Sequence, residues 1–272
     1  MGSGVLGKIL ISVLKRQKAT SHTMNIRHIH LEEVDSTNNY LQGYHPSPGE
    51  DVTIVWTEVQ TAGRGCDTNS WECEPHANLA FSVLFHPKKI SATSQFIISM
   101  ANALALRDAL SKYVEGITVK WPNDIYWNDY KMAGTLIEPS LHQGYVGRCI
   151  IGTGINVNQK QFLSDAPNPI SLTNVCGQTL DREEVAQEVT RHLLNYITLL
   201  LYPEKWEWIR KTYRKFLYRR EGIYTYQTSD GKTFEASLHT VEDNGILVLC
   251  EHTGENTSRL RKFSFKEVKF II

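Results

Sequence analysis

The chain has 272 residues, of which 41% are hydrophobic and 21% are charged, a composition suited to one large globular domain or to one large and one small domain. Lys plus Arg and Asp plus Glu both number 29, so the formal net charge is zero. This balance argues against a protein that captures nucleic acid through a positive field over its whole surface. The sequence also has no run of about 18 apolar residues, which a membrane-spanning helix needs.

The cysteines indicate reduced thiols. There are five, an odd number, and they form neither a CxxC pair nor a Cys/His zinc pattern. Since disulfide frameworks belong to oxidising compartments, we expect a cytoplasmic protein.

The first 23 residues differ from the rest of the chain in their pattern of apolar and charged residues. A short apolar face is followed by the basic run over residues 15–18, whereas a signal peptide carries its charge before the apolar run. We expect residues 1–23 to be a disordered leader or tag, with Met24 suited to be the native start. The alternative is a helix that lies on a membrane surface.

Downstream of this leader, predicted strands and helices are mixed. Apolar alternation and β-branched residues predict strands over residues 25–31, 52–57, 78–85, 117–121, 125–127, 132–138 and 145–157. Helical apolar spacing and capping residues predict helices over residues 35–41, 94–113, 181–201 and 203–218. Asp181 and Glu184 are placed as a capping box for the third of these helices, and Pro203 stands in the first turn of the fourth.

Past Gly222 the pattern changes to short β segments separated by Asp-Gly and Asn-Gly turns. They are predicted over residues 224–227, 234–241, 246–250 and 262–271. This pattern is typical of a small barrel-like module of roughly 50 residues. We place the domain boundary near Arg220, which divides residues 24–220 from residues 221–272.

Lys120 stands near the end of a predicted strand, just before a turn that Pro122 makes rigid. Thr118 and Lys120 share one face of that strand, opposite Val119 and Trp121. In a ligand site, Lys120 would be a point charge that neutralises a phosphate or a carboxylate. The alternative is a lysine that extends from a strand end into water.

Two glycine-rich segments can bring the backbone close to a ligand. Gly63 and Gly65 flank Arg64, whose guanidinium would add a forked charge to backbone N–H groups that face an anion. Gly152 and Gly154 lie in a predicted strand and lack the third glycine of a dinucleotide-binding fingerprint. They therefore indicate close approach of a ligand or of another backbone segment.

Four neutral polar residues suit a ligand with an uncharged polar head, such as a ureido or amide group. They are Ser36, Thr37, Asn38 and Gln60. Helix capping and turn formation explain the first three equally well.

The order of these segments resembles that of the biotin protein ligases. The matching motifs are DSTN at residues 35–38, QTAGRG at 60–65, NSW at 69–71, KWPND at 120–124, KMAG at 131–134 and GTGINVN at 152–158. Each motif alone is weak, whereas the combination is highly specific. The resemblance runs from about Ile29 to Ile271.

This resemblance implies an α+β fold, in which a mixed β-sheet flanked by helices forms the catalytic domain and a small SH3-like β-barrel follows it. It implies an enzyme that uses ATP and Mg²⁺ to convert biotin to biotinyl-5′-adenylate. The biotin then passes to a specific lysine of a biotin carboxyl carrier protein domain.

The resemblance also assigns site residues, although it assigns no magnesium ligand. The implied catalytic residues are Lys120 and Arg64. The implied biotin-binding residues are Ser36, Thr37, Asn38, Gln60, Gly63, Arg64, Gly65, Cys66, Trp71, Lys120, Gly134, Gly152 and Gly154. The implied nucleotide-binding residues are Arg64, Asn69, Trp71, Lys120 and Asn156.

The glycine loop departs from the family pattern at Cys66, where relatives often have a second arginine, and at Thr68, where they often have glycine. In the family, that second arginine helps to retain the reactive adenylate. We therefore predict weaker retention of the adenylate here. The alternative is a loop that closes through backbone contacts and the anchor at residues 69–71.

Three other functions stay open at this stage. They are lipoate ligation or octanoyl transfer, biotin binding without catalysis, and biotin-responsive repression. Repression needs an N-terminal helix-turn-helix domain, for which only about 24 residues remain. We therefore expect a monofunctional ligase, monomeric or homodimeric, without DNA or membrane partners. The basic stretch over residues 210–220 is predicted to be a solvated helix face or, alternatively, to steer an acidic carrier.

Overall fold

The computed structural model describes residues 24–66, 69–164, 166–254 and 257–272. The predicted leader over residues 1–23 lies outside the described residues, as do Asp67 and Thr68 of the glycine loop. Among the described residues, no helix combines the length and the apolar character needed to cross a membrane.

Seven strands form a mixed sheet. They are β1 (Ile26–Val34), β2 (Val52–Gln60), β3 (Leu79–Phe85), β4 (Ile117–Lys120), β5 (Asp124–Trp127), β6 (Tyr130–His142) and β7 (Tyr145–Ile155). Their spatial order is β1-β2-β3-β7-β6-β5-β4; β1 and β2 are parallel, and the other neighbours are antiparallel. Because β3 is an inner strand covered on both faces, all seven of its residues are buried.

Five helices cover the two faces of this sheet. They are α1 (Thr37–Gln42), α2 (Phe96–Leu110), α3 (Leu172–Cys176), α4 (Arg182–Leu200) and α5 (Trp206–Lys215), with 3₁₀ turns at Ala92–Ser94 and Pro203–Lys205. On one face, α2 packs against α4 and α5 over the main apolar core. On the other face, Leu41 of α1 packs against Leu84 of β3. The ligand site described below lies beside α1.

Local sequence explains where these helices begin. The carboxylate of Asp181 accepts hydrogen bonds from the N–H groups of Glu183 and Glu184, at 2.8 and 3.4 Å, so the predicted cap of α4 is present. A full capping box lies instead between Ser171 and Asn174 of α3. The sequence analysis missed α3 because five residues are too few for apolar periodicity to show.

Five further strands form an antiparallel sheet, in keeping with the expected SH3-like module. They are β8 (Tyr224–Thr228), β9 (Thr233–Val241), β10 (Leu247–Gly254), β11 (Thr257–Phe263) and β12 (Val268–Phe270), in the order β11-β10-β9-β8-β12. The single segment predicted over residues 262–271 is thus two strands. A turn separates them, in which the Ser264 N–H donates to the Glu267 carboxylate at 2.6 Å.

The two sheets are joined by side chains that the sequence analysis expected to face solvent. Arg210 and Arg214 of α5 both pair with Asp243, at 3.1 and 2.8 Å. Trp121 donates its indole N–H to the carbonyl of Gly245 at 2.8 Å. The expectation of a solvated basic face is therefore wrong for these two arginines, because their partner lies in the turn between β9 and β10, about 30 residues further along the chain.

Candidate functional site

An open cleft lies where α1, the glycine loop and the centre of the seven-stranded sheet meet. The lining residues come from most of the predicted motifs: Ser36, Thr37, Asn38, Gln60, Arg64, Gly65, Cys66, Asn69, Ser70, Trp71, Pro122, Asn123, Asp124, Lys131, Gly134, Thr135, Leu136, Gly152, Thr153, Gly154 and Phe265.

One end of the cleft is a network of neutral polar groups. Gln60 Oε1 accepts hydrogen bonds from the N–H and hydroxyl of Thr37, at 3.1 and 3.3 Å. The Ser82 hydroxyl on β3 lies 2.7 Å from Thr37 Oγ1 and 2.6 Å from Asn38 Oδ1. Ser82 was not predicted, although it is the one hydroxyl residue in an apolar strand. These groups present donors and acceptors without charge, as an amide-like or ureido-like head requires.

Gly152 makes room for this network. A Cβ atom at position 152 would lie 2.7 Å from Asn38 Cγ, which is closer than real Cβ contacts come. The predicted close approach at Gly152 is therefore made by the Asn38 side chain, which reaches over β7 from the start of α1.

The glycine loop closes on itself through its backbone. Gly65 N–H donates to the carbonyl of Asn69 at 2.7 Å, and Trp71 N–H donates to the carbonyl of Gly63 at 2.9 Å. A Cβ at position 63 would lie 2.5 Å from the Trp71 carbonyl oxygen, so glycine is needed there. These backbone hydrogen bonds join the two ends of the loop, which is the kind of closure that the alternative prediction described.

Trp71 forms a wall of the cleft. Added Cβ atoms at positions 134 and 154 would lie 2.9 Å from Trp71 Cζ3 and 2.7 Å from Trp71 Cζ2, so these two glycines receive the indole. The Trp71 Nε1–H is buried and has no hydrogen-bond partner within the described part of the chain. A buried donor of this kind in a cleft points to a ligand acceptor, since unpaired buried donors are rare.

Lys131 is the lysine that lies in the cleft. Its Nζ is 2.9 Å from Asp124 Oδ2 and 5.7 Å from the centre of the Trp71 ring. Lys131 belongs to the KMAG motif, but the family resemblance gave it no predicted role. The signal was available, because Lys131 precedes by three residues a glycine that was assigned to the site.

Lys120, the predicted central lysine, does not line the cleft. Its Nζ lies 5.1 Å from the Tyr126 ring centre and 5.0 Å from the Phe270 ring centre, between the two sheets. Burial lowers the pKa of this ammonium below its ordinary value. The prediction that Lys120 belongs to the site stays a prediction: this segment lines the cleft through the turn, Pro122 to Asp124, and the charges of Asp124 and Lys131 act on the Lys120 ammonium.

Asn156 and Gly63 also do not line the cleft. Asn156 is buried, and its amide donates to the carbonyls of Ile170 and Lys131, at 3.2 and 3.5 Å. Its N–H donates to the carbonyl of Met132 at 3.0 Å. Asn156 thus holds the backbone around Lys131, and it supports the site from behind. All other residues assigned by resemblance line the cleft.

Arg64 is held by a carboxylate that the sequence analysis missed. Its Nη2 lies 2.8 Å from each oxygen of Glu138 on β6. Glu138 also accepts hydrogen bonds from Asn38 at 2.7 Å and from Gln42 at 3.1 Å. The period of two along β6 places Glu138 on the same face as Gly134, which is the signal that would have found it.

The side chains in the described part of the chain offer few ligands to a metal ion. Among residues 24–66, 69–164, 166–254 and 257–272, no group of three or more His, Cys, Asp or Glu side chains is placed to hold one. The Asp124 carboxylate in the cleft is paired with Lys131. A protein-only magnesium site does not fit these residues, so the expected Mg²⁺ has no ligand assigned in this chain.

Comparisons with known proteins agree with this geometry. Residues 31–156 match the model of the biotin/lipoate A/B protein ligase family. The bifunctional ligase/repressor BirA of Bacillus spizizenii is 28% identical over 239 residues, which cover 83% of this chain and 70% of that protein. The biotin–[acetyl-CoA-carboxylase] ligase of Paracoccus denitrificans is 30% identical over 161 residues, which cover 57% of this chain and 66% of that protein.

A solved structure extends the likeness to the whole fold. The biotin protein ligase from Aquifex aeolicus in complex with biotin and ATP has a TM-score of 0.72 and 24% sequence identity. The superposition covers 90% of this chain and 99% of that one. The second sheet therefore belongs to the shared architecture, beyond the residues that the family model matches.

Proposed function

We propose that this chain, whose residues 31–156 match the biotin/lipoate A/B protein ligase family, uses ATP to join biotin to a lysine of a biotin carboxyl carrier protein through a biotinyl-5′-adenylate. One observation carries this proposal. A single cleft brings together an uncharged polar end, the glycine loop with Arg64, and Lys131. That arrangement suits a ligand with a neutral head and an anionic tail.

The polar end suits the ureido head of biotin. Thr37 and Gln60 supply donors and acceptors there, buried Ser82 lies behind them, and Asn38 is fixed between Ser82 and Glu138. The indole of Trp71 supplies an apolar wall and one free N–H. The tail of biotin would then run toward Arg64 and Lys131.

In the first step, the biotin carboxylate attacks the α-phosphorus of ATP. A carboxylate oxygen–phosphorus bond forms, the bond between the α-phosphorus and the bridging oxygen breaks, and pyrophosphate leaves. Two anions must approach one another, so fixed cations lower the barrier. We assign this role to Lys131 and Arg64. We prefer Lys131 to the first-predicted Lys120, because the Lys131 side chain lines the cleft and pairs with Asp124.

In the second step, the neutral amine of the carrier lysine attacks the acyl carbon of the adenylate. The new amide bond forms as AMP leaves with the bonding electrons, and the amine loses a proton. No enzyme nucleophile is needed. We propose that the protein acts in the cytoplasm, where its five free cysteines stay reduced.

We propose that Cys66 weakens retention of the adenylate. It lines the cleft beside Gly65 and carries no charge where a second guanidinium would stand in many relatives. Backbone closure of the loop still encloses the ligand, so the first step would proceed while the intermediate escapes more readily.

The test is incubation with ATP, Mg²⁺, biotin and a carrier domain, followed by intact mass of the carrier. We expect the mass to increase by one biotin, and absence of any gain would overturn the proposal. Lys131→Ala should slow biotin-dependent pyrophosphate release ~100-fold or more, as loss of a fixed charge-stabilising donor does.

Lys120→Ala is the matched comparison, because it removes a lysine of the same sheet that is not among the residues lining the cleft. We expect this variant to keep pyrophosphate release within about tenfold of the wild type. The reverse pattern, with Lys120 essential and Lys131 dispensable, would restore the first assignment.

A further inference from the structure

Resting on the proposed function, we propose that Glu138 is a positioning residue, an internal counter-anion that holds Arg64 at the cleft and gives it up to an anionic oxygen of the ligand. Arg64 Nη2 is placed 2.8 Å from both carboxylate oxygens of Glu138. The anionic oxygen belongs to either the biotin carboxylate or a phosphate of ATP. The cation that the reaction needs is thus already neutralised inside the protein.

This pair can be exchanged because it is only partly buried. The side chains of Arg64 and Glu138 are 38% and 27% exposed. Ion pairs with this exposure contribute little net stability, since water screens them. An incoming anion that lies deeper in the cleft therefore competes with Glu138 for Arg64 at low cost.

Glu138 keeps its place when Arg64 leaves. Its Oε2 accepts from the Asn38 amide at 2.7 Å, and its Oε1 accepts from Gln42 at 3.1 Å. Both donors belong to α1, which packs on the sheet, whereas Arg64 belongs to the loop. The Arg64 side chain is consequently the partner that moves when the ion pair opens, and the carboxylate stays fixed.

The same carboxylate links the two ends of the cleft. Asn38 donates to Glu138 through Nδ2 and accepts from Ser82 through Oδ1, at 2.7 and 2.6 Å. The amide at the polar end is thereby held in one orientation by the residue that also holds Arg64. A ligand that fills the polar end and carries an anion contacts both partners of Glu138.

The distinguishing measurement is the preference for an anionic over a neutral ligand. We would titrate wild type and Glu138→Gln calorimetrically with biotin and with biotin methyl ester, and separately with ATP. The glutamine keeps an acceptor for Asn38 but removes the charge that competes for Arg64. We expect the ratio of the ester's Kd to that of biotin, or the affinity for ATP, to rise about threefold.

The ligand whose affinity changes identifies the source of the anion. A shift with biotin alone indicates the carboxylate, and a shift with ATP alone indicates a phosphate. Glu138→Asp, which keeps the charge but withdraws it by one methylene group, should shift the same quantity by a smaller factor. It serves as the second variant if Glu138→Gln does not fold.

Two controls separate this role from a general effect of charge or of structure. Glu33→Gln removes an exposed carboxylate of β1 and should leave every ratio unchanged. In an Arg64→Ala background, Glu138→Gln should no longer shift the preference, because the effect acts through Arg64.

Equal weakening of biotin and its ester, with unchanged ATP affinity, would overturn the proposal and leave Glu138 a structural residue. A shift that persists without Arg64 would overturn it as well. If the wild type itself binds no biotin, the proposed function fails instead, and the two failures are therefore distinguishable.

Discussion

Gly152→Ala should weaken biotin binding while leaving the fold intact. The added Cβ would lie 2.7 Å from Asn38 Cγ and 3.0 Å from Asn38 Nδ2, whereas ordinary contacts begin at 3.4 Å. Because β7 is an inner strand paired with β3 and β6, its backbone cannot retreat. Asn38 Oδ1 would lie closer still, so the Asn38 amide must move by roughly 1 Å or more, or rotate away from its partners.

The magnitude follows from the contacts that Asn38 makes. It would lose good geometry with Ser82 and Glu138, at 2.6 and 2.7 Å. Each hydrogen bond contributes about 1 kcal/mol, so the loss is about 2 kcal/mol. If that loss falls on the ligand-binding form, the Kd for biotin rises about 30-fold.

Calorimetric titration with biotin measures this change, and the melting temperature shows whether the variant is folded. Gly43→Ala is the matched control, because a Cβ there meets only the Tyr40 carbonyl oxygen at 3.9 Å. A folded Gly152→Ala protein that binds biotin within about threefold of the wild type would refute the reasoning.

Three further outcomes test other parts of the molecule. Asp243→Ala removes the carboxylate that pairs with both Arg210 and Arg214. We expect calorimetry to show a melting temperature lower by about 2–4 °C. An unchanged melting temperature would mean that this exposed pairing is dispensable. Cys66→Arg should slow release of the adenylate, measured as escape of labelled intermediate from the purified complex; equal or faster release contradicts the role given to position 66. Burial raises the pKa of the Cys73 thiol to about 11, so the thiol form persists up to that pH. Its alkylation at pH 8, followed by peptide mass mapping, should be about 100-fold or more slower than that of free cysteine and should still be rising above pH 9, whereas a plateau near pH 9 would contradict this.

Much of the secondary structure could be predicted because it depends on local patterns. Alternation predicted β3, apolar spacing predicted α2, and Asp181 marked the start of α4, all of which the structure contains. The short helix α3 and the split between β11 and β12 escaped, since five residues give no period and a turn without a strong glycine or proline signal leaves no mark.

The site was predicted unevenly for a similar reason. Motifs located most of the cleft lining, because chain neighbours such as Ser36, Thr37 and Asn38 reach it together. The choice between Lys120 and Lys131 could not be made in this way. Both lysines flank the same turn and hairpin, and only the tertiary structure distinguishes their surroundings: Lys131 pairs with Asp124, whereas Lys120 lies by the Phe270 ring of the second sheet.

The sequence by itself determined most of the elements, their order and the family resemblance, because hydrophobic period, turn residues and short motifs act over a few residues. The tertiary structure alone decided which charges meet. Arg64 and Glu138 lie 74 positions apart in the chain, and Trp121 and Gly245 lie 124 apart. Such contacts are made when strands pair and sheets pack, a process that depends on the whole chain.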